Sequence, residues 1–129
     1  MILRELQSFL KTCPSLSGRE ININYLGHRE GDCSLDEQGD YTVLRTYCDG
    51  ERIVSRRFAL GLRSAFDENA VLNMKDCELL EEVAQWLIIN VPYIAIDKMP
   101  YLAESSVQGA RLQLEFTLTY RENKEGILW

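Results

Sequence analysis

The chain has 129 residues, of which 46% are hydrophobic and 26% charged, with a net charge of −6 and a pI near 4.8. A domain of this length buries roughly 65–70% of its unfolded surface, so one packed domain needs neither disulfide nor metal to fold. The acidic balance disfavours non-specific binding to nucleic acid or anionic membrane, which is driven by Lys and Arg neutralising phosphate.

Cys13, Cys33, Cys48 and Cys77 form no Cys-x-x-Cys pair. The opening Met-Ile-Leu-Arg-Glu lacks the basic and apolar stretches of a secretory signal. The longest apolar run, residues 86–89, is too short to cross a bilayer. These features lead to the expectation of a cytosolic protein with reduced thiols.

Residues 2–13 place Ile2, Leu6, Phe9, Leu10 and Cys13 on one helical face, and Pro14 and Gly18 end that helix. Residues 20–25 alternate Ile21, Ile23 and Tyr25 with polar residues, as a half-buried strand does. Residues 27–40 are polar and hold three glycines, so they read as a loop, with at most a short strand near Ser34 and Leu35. With few apolar anchors, this loop is expected to be mobile in a free subunit.

A hairpin follows over residues 41–66, turning at Asp49 and Gly50. Asp-Gly suggests a type I′ turn, whose central residues both need positive φ. Phe58, Leu60 and Leu62 share one face of the second strand, while Ile53 has the opposite parity, which predicts a bulge near Ser55 and Arg56. Residues 63–75 read as an irregular connection. Asn73 or Asp76 can cap a helix that runs to about Asn90 and buries Leu79, Leu80, Val83, Ala84, Trp86 and Leu87. Between Pro92 and Pro100, residues 93–96 read as a strand or an extended arm.

The cleanest period lies in residues 111–120, where Leu112, Leu114, Phe116, Leu118 and Tyr120 alternate with polar partners. The expected fold is α+β: a mostly antiparallel sheet of four or five strands with two helices packed on one face. The terminal Ile127-Leu128-Trp129 either folds back on the domain, the preferred reading, or docks on a neighbour.

No catalytic, cofactor or metal site is expected. His28 is the sole histidine and shares a Gly-rich loop with Cys33, a pairing read as two exposed loop residues rather than nucleophile and base. The acidic residues of that loop lack the alternating oxygen ligands and closing Glu of a calcium loop. Arg56 and Arg57, with Arg52 and Arg63, are the one basic concentration, and no aromatic partners are evident beside them. Arg56 and Arg57 are therefore matched with the acidic loop as a candidate subunit interface, together with Arg29, Glu30, Asp32, Asp36 and Glu37.

The pattern of aromatic, Asp-Gly, polar run and Phe58-Ala-Leu-Gly-Leu-Arg63 resembles the minor capsid or tail terminator proteins of long-tailed phages of Gram-positive bacteria. The order of an N-terminal helix, short strand, hairpin, acidic helix with central Trp86 and terminal strand is similar to theirs. The resemblance implies a non-enzymatic subunit of a ring, expected to be a hexamer, on the end of the tail tube. A head-completion protein would be its second partner, with DNA passing through the ring without specific binding. It implies location in the virion, and in the host cytoplasm during assembly. Two other classes stand beside it: a small cytosolic enzyme, or an acidic regulatory protein that mimics DNA.

Overall fold

The computed structural model describes residues 2–16, 18–27, 29–64, 71–106, 109–123 and 126–128, with backbone alone at 71–73, 105–106 and 126–128. Their elements are α1 (Ile2–Leu10), a 3₁₀ turn (Pro14–Leu16), β1 (Ile21–Ile23), β2 (Cys33–Glu37), β3 (Thr42–Thr46) and β4 (Arg52–Ser64). After these come α2 (Val71–Asn90), β5 (Ile94–Ser106), β6 (Gly109–Asn123) and β7 (Gly126–Leu128). The fold is α+β, as expected. The sheet is larger than expected, with seven strands in the order β1-β2-β4-β6-β5, to which β3 adds on β4 and β7 on β6.

The long strands β4 and β6 pair in unbroken antiparallel register from Arg52 opposite Glu122 to Ser64 opposite Ala110. Alternation explains the pair. Leu112, Leu114, Phe116 and Leu118 of β6 face the helices beside Phe58, Leu60 and Leu62 of β4, and all are buried. The Phe58 and Phe116 rings lie 5.7 Å apart at the centre. In α2, Leu80, Val83, Ala84 and Leu87 recur at helical spacing and close the core from above. Phe9 of α1 stacks on Trp86 at 4.9 Å, joining the two helices into one layer.

Several sequence expectations need correction. The short strand anticipated near Ser34 and Leu35 is present and longer than expected: Cys33–Glu37 forms β2, parallel to β1 and antiparallel to β4, with Cys33, Ser34 and Leu35 buried, so this part of 27–40 is not loop. The remaining turn is tied down as well. Gly31 N–H donates to the Arg63 carbonyl at 2.8 Å, and Arg63 Nε donates to the Gly27 carbonyl at 3.0 Å. Removing residues 29–38 would therefore delete a strand of the sheet.

β4 carries no bulge at Ser55 and Arg56. The register shift lies opposite, between Val43 and Arg45 of β3, and Ile53 simply faces away from the helices. The hairpin turn is not type I′, because Gly50 has positive φ (90°) and Asp49 does not. Gly50 N–H donates to the Tyr47 carbonyl and Glu51 N–H to Asp49 Oδ1, giving a three-residue loop that ends on a left-handed glycine. Helix α2 begins by Val71, so Asn73 and Asp76 lie inside it rather than capping it. Residues 63–75 are thus strand at 63–64 and helix at 71–75, with 65–70, including the expected hairpin end Phe66, outside the described residues.

The segment after Pro92 is a full strand of 13 residues. Its register shifts at Ile96/Lys98, Lys98/Tyr101 and Leu102/Glu104 accommodate Pro100 on an outer strand. The strand expected at 20–25 shortens to Ile21–Ile23 because Asn24 takes positive φ (57°), which breaks the alternation before Tyr25. The tail does fold back: β7 pairs with Arg121, Glu122 and Asn123 of β6, while Trp129 lies outside the described residues.

Candidate functional site

The sheet has two functional regions to consider: its face away from the helices, and the end where β3 extends it. On the open face, register aligns Ser34, Gly61, Gln113 and Tyr101 in one row across four strands, with Asp36, Ala59, Glu115 and Lys98 in the next. A continuous polar ladder joins them. Ser34 Oγ lies 2.6 Å from Asp36, whose Oδ2 accepts from Arg111 Nη2 at 2.7 Å. Arg111 Nε donates to Gln113 Oε1 at 2.9 Å, and Gln113 Nε2 donates to the Tyr101 hydroxyl at 3.1 Å. Tyr101 in turn donates to Glu115, which Lys98 approaches at 3.8 Å.

The Tyr101 hydroxyl is held above the usual phenol range, chiefly by its bond to the Glu115 carboxylate. Every buried side-chain nitrogen and oxygen among the described residues has a partner. The ladder therefore ties the strands of the open face to one another. No group of three or more His, Cys, Asp and Glu among the described residues could hold a metal.

The other end is an arm. β3 is exposed along its whole length and extends β4 beyond the reach of β2. What orders it is stacking and charge rather than a core. Arg56 lies 4.2 Å and Arg52 5.8 Å from the Tyr41 ring, while Arg45 and Arg121 lie 5.4 and 5.7 Å from Tyr47. Ion pairs join Arg52 to Glu122, Arg121 to Glu51, and Arg56 Nη1 to Glu37 Oε1 at 2.6 Å. The basic concentration thus does have aromatic partners, which linear spacing concealed. At the β3 bulge Leu44 has no register partner and is 57% exposed.

The seven residues named from sequence divide into two groups. Asp36 pairs with Arg111 and Glu37 with Arg56, so these charges are used within the subunit. Asp32 closes its own turn, accepting from Arg29 N–H at 3.1 Å. Arg29, Glu30 and Arg57 are exposed. His28 lies outside the described residues, and Cys33 is buried rather than an exposed loop residue. Burial raises its thiol to about 11, with Arg19 opposing, which leaves it a poor nucleophile.

Sequence reasoning missed a groove of about 720 Å³ on the helix side. Its apolar lining comes from Cys13, Pro14, Trp86, Ile89 and Met99, and Glu78, Glu81 and Glu82 stand on its rim. Ile89 is 79% exposed and Met99 47% exposed. The available signal was Ile88 and Ile89, which lie outside the stripe of Leu80, Val83, Ala84 and Leu87. A second groove, of about 570 Å³, lies between Tyr47, Ile53, Tyr93, Thr119 and Arg121. No family model and no curated protein matches the chain.

Proposed function

We propose that the protein is a structural virion subunit, a tail terminator or head–tail joining protein that assembles as a ring on the end of the tail tube. The observation that carries this reading is the β3–β4 hairpin, whose first strand is exposed along its length and presents Leu44 outward at a bulge. An exposed strand with an outward apolar side chain is a surface suited to a partner. β5 offers a second outer strand at the opposite side of the sheet, with Leu102 exposed.

The resemblance of residues 41–63 and of the element order to phage tail terminators supplies the rest of the reading. The polar ladder supports it too, since a sheet cross-linked by paired side chains suits a rigid building block. The net charge of −6 per subunit suits a ring through which DNA passes without adhering.

Genetic removal with complementation tests this function. In the phage or prophage that encodes the chain, loss of the gene should leave filled heads and tails unjoined, and supplying the protein should restore joined particles. Normal particles without the gene would overturn the reading.

A further inference from the structure

We propose that the β3 arm of one subunit docks into the acidic groove of a second copy, with Leu44 seated against Trp86, Ile89 and Met99. The inference rests on the self-assembly reading above and names the surfaces that carry it.

Charge complementarity commits the groove to this occupant. The chain is acidic overall, yet residues 41–57 hold Arg45, Arg52, Arg56 and Arg57 against only Asp49 and Glu51. Arg52 and Arg56 are paired with Glu122 and Glu37, whereas Arg57 is exposed and Arg45, though its guanidinium lies over the Tyr47 ring, is exposed and has no carboxylate partner among the ion pairs of the described residues. Register places both on the face of the sheet away from the helices, since Arg45 is opposite Ile53 and Arg57 opposite Thr117. The groove presents the reverse pattern. Glu78, Glu81 and Glu82 are exposed along one side of α2, around an apolar floor.

Size and shape agree with this pairing. The groove has a volume of about 720 Å³, and its apolar residues Trp86, Ile89 and Met99 give a leucine side chain a surface to bury against. Leu44 is an outward knob on an arm ordered by its own tyrosine–arginine stacks, so little ordering remains to be done on docking. The two surfaces share no residue. The contact is therefore head-to-tail, the kind that closes into a ring when its rotation allows.

Charge reversal in the full chain provides the test. Arg45→Glu with Arg57→Glu, or Glu81→Arg with Glu82→Arg, should each weaken self-association by roughly tenfold or more, read by sedimentation velocity. Combining all four substitutions should restore it. Circular dichroism confirms that each variant is folded. As an independent measurement, Leu44→Cys and Ile89→Cys placed in a Cys48→Ser background should form a disulfide between subunits on oxidation. Assembly that persists in both reversal variants, without that crosslink, overturns this contact and leaves the ring reading standing. A folded wild-type chain that stays monomeric up to about 1 mM and on tail tubes overturns both. A groove that binds tail tubes but not a second copy also overturns the contact.

Discussion

Arg111 of β6 crosses above Gly61 of β4 to reach Asp36 of β2, placing Nη2 2.7 Å from Oδ2. A Cβ on Gly61 would meet Nη2 at 3.2 Å and Cζ at 3.3 Å. Inside a strand, alanine is ordinarily favoured over glycine by about 0.5–1 kcal/mol. Here the guanidinium must shift and loosen a half-buried, charge-assisted bond worth ~1–3 kcal/mol. Gly61→Ala should therefore destabilise the protein by about 1 kcal/mol in denaturant unfolding. In an Arg111→Ala background the same change should be neutral or stabilising. Equal effects in both backgrounds would show that the crossing does not need glycine beneath it.

Phe116 is fully buried at the centre of the sheet, stacked beside Phe58. Phe116→Ala should cost ~3–5 kcal/mol, a large share of the stability of an ordinary domain. A melting temperature within a few degrees of wild type would mean that this face is not the core.

The arm should behave differently, because stacking and ion pairs order it. Tyr47→Ala removes two cation–π contacts worth ~0.5–1 kcal/mol each at exposed sites. Amide exchange at Thr42–Thr46 should speed up, while the global melting temperature moves far less than for Phe116→Ala. Loss of global stability comparable to Phe116→Ala would place the arm in the cooperative core.

Cys33 makes stability depend on alkaline pH. Well below pH about 9, where the thiol ordinarily titrates, the folded and unfolded forms both keep their proton. As pH rises from there to about 11, the unfolded thiol ionises first and the folded one holds its proton, so stability falls by up to ~3 kcal/mol. Tyr101 and Tyr120 are also raised and act with the same sign. Cys33→Ala should flatten the slope over this window relative to wild type. In native protein, thiol reagents should modify exposed Cys48 well before buried Cys13 and Cys33. An unchanged slope in Cys33→Ala, or early labelling of Cys33, would contradict its burial.

The legible parts of the fold were those whose period survives in isolation. β6 alternates without interruption, and the stripe through Leu80, Val83 and Leu87 has helical spacing. β2 was legible only as a short strand near Ser34 and Leu35, because Asp36 and Glu37 are polar and the partner that engages Asp36, Arg111, is 75 positions away in the chain. β5 hid behind Pro100 and three register shifts, which destroy alternation while leaving the backbone paired. The candidate site fared worse. The sequence matched Arg56 and Glu37 as a contact between subunits, whereas in the fold they pair within one. Leu44 and the groove around Ile89 depend on a bulge and on helix–turn packing, neither of which linear sequence encodes simply.

The most direct test of the central claim is negative-stain imaging of the full chain mixed with tail tubes that lack it. Closed rings seated on the tube ends, of uniform subunit number, are the predicted result. Bare tube ends beside a dispersed, folded monomer would contradict it.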